Sequence, residues 1–144
     1  MSVSKPDRKD SRVEFDNTYF KVYHDAVEIT NRFLFADEDK IKNRNDYIRT
    51  MSSRILIVAS DIGTHIRIAN SIYPTCKEEY LERRISQEKA IGLCYDLLTK
   101  YQLIMKELSI RDDKYVNEIK NVVHEINCLK KWRTSDNKRF GQLG

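Results

Sequence analysis

Four segments of this sequence repeat apolar residues at three- and four-residue steps, which is the spacing of one face of an α-helix. The second segment keeps this rhythm longest, from Ile48 through Ile55 and Ile62 to Ala69. Sustained heptad-like repeats are typical of helices that pack along their lengths at shallow angles. The chain has only 4 Gly and 2 Pro in 144 residues, too few turn signals for an all-β fold. The pattern therefore predicts an all-α fold.

The apolar stripes define the residues expected in the core. Polar and charged side chains separate the members of each stripe, as expected for helices with one solvated face. In chain order, the stripes are Phe20, Tyr23, Val27, Thr30 and Leu34, broadened at the end by Phe33 and Phe35; Ile48, Met51, Ile55, Val58, Ile62, Ile66 (or His65), Ala69 and Ile72; Leu81, Ile85, Ile91, Tyr95, Leu98, Tyr101, Met105 and Leu108; and Tyr115, Ile119, Val122, Ile126, Leu129 and Trp132.

The first two helices are expected on either side of a polar connection. Asp16 is a good N-cap, so the first helix should begin there and run to about Phe35. Residues 36–45 have no apolar stripe and are predicted to form the connection. The second helix should then run from about Asp46 to Ile72.

Proline and two capping patterns mark the remaining boundaries. Pro74 disfavours helical geometry in the residue before it, and Thr75 with Glu78 has the spacing of a capping box. Ser109 and Asp112 repeat that spacing before the fourth stripe. Both connections are short, and short connections make successive helices antiparallel neighbours. The sequence therefore predicts an up-down-up-down antiparallel four-helix bundle.

Composition divides the chain into three parts. Residues 1–14 mix Ser, Lys, Asp, Arg and Pro with one isolated Val, which is typical of a disordered leader. The four-helix bundle is expected over residues 15–133. Residues 134–144 are polar with two isolated apolar residues, and they are predicted to form a basic flexible tail.

Positive charge is concentrated at the two ends of the chain. The net charge is +4, and residues 130–144 carry five basic residues against Asp136 alone. Residues 1–12 also have a basic excess, so the stretch between the two ends is net acidic. Basic ends are candidate contacts for phosphate or for an acidic partner, and they are equally typical of solubilising tails.

The sequence contains no pattern typical of a catalytic, metal or cofactor site. It lacks the glycine-rich phosphate loops, the nucleophile elbow and the zinc-protease motif. A zinc site would need paired Cys or His residues at short spacing, which His24, His65 and His124 do not supply. We therefore expect no catalytic residues, no metal and no cofactor, and we interpret the chain as a binding protein rather than an enzyme.

The cysteines and the hydropathy pattern bear on location. Cys76, Cys94 and Cys128 are scattered and form no Cys-x-x-Cys pair, which is typical of free thiols in a reducing compartment. The first residues lack the apolar core of a signal peptide. No apolar stretch approaches the roughly 18 residues of a membrane span. These features predict a cytoplasmic protein that does not enter a membrane.

The basic residues of the middle helices and of the C-terminal end are the candidate nucleic-acid-binding residues. Arginine has a planar fork suited to phosphate, and it stacks on bases. Scattered arginines on a helical bundle are also commonly solvated or paired with carboxylates. The candidates are Arg49, Arg54, Arg67, Arg83, Arg84, Lys130, Lys131, Arg133, Lys138 and Arg139.

The order of several segments over residues 19–133 resembles a known family. The segments are Tyr19–Val27, a second helix that ends with Ile68–Ser71, a third helix that begins near Lys77, Leu103–Ser109, and a final helix that closes with Ile126–Trp132. Together they resemble the accessory variability proteins of diversity-generating retroelements. More distantly, they resemble the intervening-sequence proteins encoded inside bacterial large-subunit rRNA genes.

This resemblance implies a specific function. It implies a four-helix bundle that assembles into a pentameric ring and binds the retroelement's reverse transcriptase and its template RNA, so that mutagenic cDNA synthesis is supported. The chain would then be a non-enzymatic accessory subunit that acts as a homo-oligomer. Its net acidic middle departs from a uniformly basic ring, so RNA binding would depend on particular arginines and on the C-terminal end. The alternative is a protein-interaction bundle, such as a scaffold or an antitoxin-like partner, without a nucleic-acid role.

Overall fold

The computed structural model describes the backbone of residues 5–34 and 45–144 and the side chains of residues 17–33 and 45–144. The regular structure of these residues is helical, with no strand among them. The predicted all-α fold is confirmed. The helices are α1 (Lys5–Leu34), α2 (Asn45–Ser71), α3 (Lys77–Glu107) and α4 (Val116–Phe140).

The four helices pack in a closed circuit. Helix α2 lies between α1 and α3, and α4 contacts both α3 and α1. At the start of α4, the Tyr115 ring lies 5.9 Å from the Phe33 ring near the end of α1. Further along α4, Asn121 donates a hydrogen bond to Asp25, which lies earlier in α1. The contacts move backwards along α1 as they advance along α4, so these two helices are antiparallel neighbours in a four-helix bundle.

The core confirms the predicted stripes of α2 and α4. On α2, Ile55, Ile62 and Ala69 are fully buried. On α4, Val122 and Leu129 are buried in the same cluster. Apolar side chains in such a core stabilise the fold by roughly 1.5–3 kcal/mol each relative to exposure. Both helices therefore follow the simple rule that the apolar stripe is the buried face.

The predicted stripes of α1 and α3 are partly wrong. Phe20 and Tyr23 of α1 are exposed, whereas Thr30 and Phe33 are buried as predicted. The rest of the core of that helix is formed by residues outside the predicted stripe: Val22, Ala26 and Ile29. On α3, Leu81, Ile85 and Tyr95 are exposed. The buried face of α3 instead includes Arg83 and Gln87. Because these two polar residues interrupt the apolar periodicity, the spacing of apolar residues favoured a neighbouring face of the helix.

The N-terminal boundary also differs from the prediction. Helix α1 begins at Lys5, so residues 5–14 are helical rather than a disordered leader. Pro6 lies in the first turn, where its missing N–H removes no intrahelical hydrogen bond. Residues 1–4 of the predicted leader lie outside the described residues. The predicted polar connection over 36–45 also lies outside them, except for Asn45, which begins α2.

The C-terminal segment is not the flexible tail that its composition suggested. Helix α4 continues to Phe140, and both Asp136 and Phe140 are buried. The Lys77 N–H donates a hydrogen bond to the Gly144 carbonyl at 3.1 Å. The last residues of the chain therefore pack against the start of α3, and the bundle extends past residue 133.

The two predicted capping boxes do not form. At the start of α3 the N-cap is Cys76, which makes no side-chain capping hydrogen bond. Thr75 N–H donates to a Glu79 carboxylate oxygen at 3.0 Å, so the predicted box of Thr75 and Glu78 does not form. Ser109 adopts a left-handed backbone conformation with φ of 55° and caps no helix. Helix α4 begins only at Val116. Turns occupy most of the stretch between Leu108 and Val116.

Gly92 offers a test of helix propensity on the outer face of α3. It lies inside the helix, and a Cβ at this position would meet nothing within 4 Å. Glycine in a helix interior costs roughly 0.5–1 kcal/mol relative to alanine. Gly92→Ala is therefore expected to raise the free energy of unfolding by about that amount in a denaturant titration. An unchanged or lowered midpoint would contradict the open environment of this residue.

Candidate nucleic-acid interface

Helix α4 has an outer surface that carries positive charge and no exposed carboxylate beyond Glu118. The two acidic residues that follow Glu118 are Glu125 and Asp136, and both are buried. The basic residues of the same stretch all reach solvent at least in part. We call them the cationic surface of α4: Lys120, Lys130, Lys131, Arg133, Lys138 and Arg139.

Some of these cations lie on the same side of α4, because their spacing matches whole turns of the helix. Lys131 and Lys138 are two turns apart and therefore share one side of α4. They line an open depression of about 550 Å³ together with other polar side chains of the same helix. The other lining residues are His124, Asn127, Cys128, Lys130, Thr134 and Ser135.

Lys130 and Arg133 connect the cationic surface to α3. The Lys130 ammonium donates a hydrogen bond to the Tyr95 hydroxyl at 2.9 Å. Arg133 lies 3.9 Å from the Glu88 carboxylate, which is also bonded by Arg84 at 3.3 Å. These side chains are only partly buried, so the ion pairs contribute little to stability. Glu88 nevertheless reduces the local positive charge at Arg133 and Arg84.

Arg84 remains a candidate for a phosphate contact, although its guanidinium already makes hydrogen bonds within the protein. Its guanidinium donates to the Tyr80 hydroxyl at 3.4 Å as well as to Glu88. These two hydrogen bonds raise the pKa of Arg84 above its ordinary value. The side chain lies on the edge of α3 that faces α4, so it adds to the positive charge near Arg133.

Arg83 is not available for a phosphate contact, which corrects its place among the candidates. It is buried and makes a paired interaction with Asp136, with Nε 2.5 Å and Nη2 3.1 Å from the carboxylate oxygens. Its Nη1 donates to the Ile72 carbonyl at 2.7 Å. Every hydrogen-bonding group of this guanidinium thus points into the protein.

The arginines of α2 are exposed, but the fold does not bring them to the cationic surface of α4. Helix α2 packs against α1 and α3, so it lies diagonally across the bundle from α4. Arg49 and Arg67 are about five turns apart and share one side of α2. Arg54 lies on a different side of that helix, by the same geometry. The ten candidates therefore do not form one site.

Sequence reasoning missed Tyr95 and the small polar residues of the depression. Tyr95 was assigned to the core because it continues the apolar spacing of α3, whereas 48% of its surface is exposed. Asn127 and Thr134 carry no charge and matched no motif. The alternation of Asn127, Lys131, Thr134 and Lys138 at three- and four-residue steps is the signal that could have identified this side of α4.

The described residues hold no group of three or more His, Cys, Asp or Glu side chains that could bind a metal ion. None of their helices combines the length and the apolar character needed to cross a bilayer. Comparisons with protein-family models, curated proteins and solved structures found no match to this chain. The resemblance to the retroelement accessory proteins therefore stays a prediction from the sequence.

Proposed function

We propose that this protein binds RNA and acts as a non-enzymatic accessory subunit of a diversity-generating retroelement reverse transcriptase. The observation that supports RNA binding is the cationic surface of α4, which keeps a net positive charge because Glu125 and Asp136 of that helix are buried. A surface of net positive charge attracts a polyanion without reading its sequence. The reverse transcriptase as partner, and a pentameric assembly, come from the family resemblance and form part of the same proposal.

Burial of Asp136 makes the surface of the C-terminal end more positive. In the sequence, Asp136 stands among five basic residues and lowers their net charge. In the fold, its carboxylate faces inward and is compensated by Arg83 and Gln87. The positive potential of the C-terminal end is therefore larger at the surface than the sequence total indicates.

A salt titration tests RNA binding directly. The affinity for a single-stranded RNA should fall linearly on a log–log plot against salt concentration, with a slope of about −0.7 for each phosphate contacted. Lys131→Glu should weaken binding at every salt concentration and make the slope shallower by roughly one phosphate contact. Fluorescence anisotropy with a labelled RNA would measure both quantities.

Lys89→Glu provides the matched control. Lys89 is an exposed lysine of α3, away from the depression on α4, and its reversal changes the net charge by the same amount. We expect Lys89→Glu to weaken binding far less than Lys131→Glu. Equal effects would mean that net charge alone attracts RNA and that α4 holds no particular site. A flat salt dependence, or no binding at low salt, would contradict RNA binding altogether.

The accessory role needs a separate experiment. Purified reverse transcriptase of the retroelement type should copy its template RNA more efficiently when this protein is added. Lys131→Glu and Lys138→Glu should reduce that stimulation, whereas Lys89→Glu should preserve it. Tight RNA binding without any stimulation or association with the enzyme would separate the two parts of the proposal. It would leave an RNA-binding bundle with a different partner.

A protein-interaction bundle is the second candidate, and one specific observation favours it. Leu81, Ile85 and Leu103 of α3 are exposed, each with 44% or more of its surface accessible. Apolar residues on one side of a helix are typical of protein contacts. This function predicts that Ile85→Asp abolishes partner binding, whereas Lys131→Glu has no effect. Light scattering on the purified protein would show whether the partner is another copy of the chain.

A further inference from the structure

We propose that Tyr95, together with Lys130, forms a stacking site for an unpaired base, an inference that rests on the RNA-binding function proposed above. Tyr95 lies on the outer side of α3 and keeps 48% of its surface exposed. Its hydroxyl accepts the hydrogen bond from Lys130, a member of the cationic surface of α4. The aromatic ring and the candidate phosphate contacts are thus held side by side.

The position of Lys130 leaves the ring faces open. Its Nζ is 2.9 Å from the Tyr95 hydroxyl but 5.4 Å from the ring centre. A cation placed over the middle of the ring would be nearer to the centre than this ammonium is. Lys130 therefore lies beyond the hydroxyl edge, where it fixes the ring and offers positive charge without covering its faces.

Gly92 keeps the neighbouring turn of α3 empty. Side chains of a helix lean towards the turn before them, and Gly92 lies in the turn before Tyr95. A Cβ at Gly92 would meet nothing within 4 Å. Glycine is unfavourable in a helix interior, and no packing contact at this position requires it.

These features favour single-stranded RNA over a duplex. Every base has an apolar face that can stack on a tyrosine, but in a duplex those faces are covered by the adjacent base pairs. Proteins that bind single strands combine an aromatic ring for the base with nearby cations for the backbone. Tyr95 supplies the ring, whereas Lys130 and Lys131 supply cations on the adjacent helix.

The experiment compares ring variants on matched RNAs. The probes are a single-stranded 12-mer that carries one 2-aminopurine and the duplex formed with its complement. Binding is followed by anisotropy, and stacking is followed by quenching of 2-aminopurine fluorescence. The variants are Tyr95→Leu, which removes the ring, Tyr95→Phe, which keeps it, and Gly92→Gln, which places a flexible side chain beside it. Tyr23→Leu, which removes a partly exposed tyrosine of α1, is the control.

The expected results distinguish the contribution of the Tyr95 ring to RNA binding from that of its hydroxyl. Tyr95→Leu should weaken binding of the single strand about 5- to 100-fold and remove the quenching. Tyr95→Phe and Tyr23→Leu should stay within about threefold of the wild-type affinity. Gly92→Gln should reduce quenching although it favours the helix. The duplex should bind more weakly than the single strand and should not respond to Tyr95→Leu.

Three results would overturn the stacking site, and they differ from failure of the proposed function. Salt-dependent binding of the single strand that is unchanged by Tyr95→Leu would leave RNA binding intact and remove the stacking site. Equal binding of single strand and duplex would do the same. Loss of a protein partner in Tyr95→Leu, with RNA binding unaltered, would assign the ring to a protein contact. Absence of any RNA binding at low salt would contradict the proposed function itself.

Discussion

Asp136→Ala is expected to lower the free energy of unfolding by about 3–5 kcal/mol, because it leaves the buried Arg83 guanidinium without its counter-charge. The Asp136 carboxylate accepts hydrogen bonds from Arg83 and also from Gln87 at 2.6 Å. Only 1% of the Asp136 side chain and 8% of the Arg83 side chain are exposed. Bulk water therefore does not reach this pair in the folded protein.

The other contacts of Arg83 spread the destabilisation by Asp136→Ala beyond the ion pair itself. Arg83 also donates to the Ile72 carbonyl, and its Cζ lies 5.1 Å from the centre of the Trp132 ring and 5.7 Å from that of Phe140. The guanidinium thus links the end of α2, the start of α3 and the end of α4. Loss of Asp136 would loosen all three segments at once.

Two control variants distinguish an unpaired buried charge from a general loss of contacts. Arg83→Met combined with Asp136→Leu removes both charges and fills similar volume, so the double variant should be nearer to the wild type in stability than either single variant. The buried Gln87 amide loses its acceptor in the double variant and accounts for a remaining cost of about 1–3 kcal/mol. Asp96→Ala breaks a partly exposed i,i+4 pair with Lys100 on α3 and should cost about 0.3–0.5 kcal/mol. Urea titrations would measure all of them. A cost below about 1 kcal/mol for Asp136→Ala would contradict the buried-pair explanation.

Gly63→Ala is expected to destabilise the bundle by roughly 1–3 kcal/mol through overpacking. A Cβ on Gly63 would overlap the Tyr19 ring and hydroxyl. Tyr19 cannot move away without loss, because its hydroxyl donates a hydrogen bond to the Ala59 carbonyl at 2.8 Å. Burial at this α1–α2 contact also raises the pKa of Tyr19 to about 12.

Gly63→Ala should stabilise the protein instead of destabilising it when the Tyr19 ring is absent. In a Tyr19→Ala background, the space opposite Gly63 is empty, so Gly63→Ala should stabilise the chain by up to about 1 kcal/mol through helix propensity. The comparison forms a double-mutant cycle with a large coupling energy. Additive effects of the two substitutions would show that Tyr19 does not limit the space at Gly63. Gly92→Ala, with no neighbour to displace, is the reference for propensity alone.

The fold class could be predicted because α2 and α4 bury the side chains that their apolar periodicity marks. Ile55, Ile62 and Leu129 behave as an amphipathic pattern requires. Helix α3 could not be predicted in the same way, since Arg83 and Gln87 are buried through partners far away in the sequence. Asp136 is one of those partners, and no local pattern connects it to Arg83. The predicted flexible tail failed for the same reason.

The basic residues of the candidate site could be predicted from the sequence, but which of them lie together in the fold could not. Lys130, Lys131 and Lys138 are basic residues at helical spacing, and the sequence alone identifies them. They are separated from Arg49 and Arg67 because α2 and α4 are not neighbours around the bundle. The order of the helices in the sequence does not determine which basic side chains come together on the surface. Tyr95 is predicted in the core but is exposed, because an aromatic residue at the edge of an apolar stripe fits the helical spacing whether its ring is buried or not.

Helix α4 divides its residues between two independent tasks. Val122, Leu129 and Asp136 are buried and are constrained by volume and by a fixed counter-charge, whereas Lys131, Thr134 and Lys138 are exposed and line the open depression. Surface substitutions usually change stability by no more than about 0.5 kcal/mol. The outer residues can therefore be exchanged without repacking the inner ones. A bundle of this kind can acquire a new ligand preference while its architecture stays unchanged.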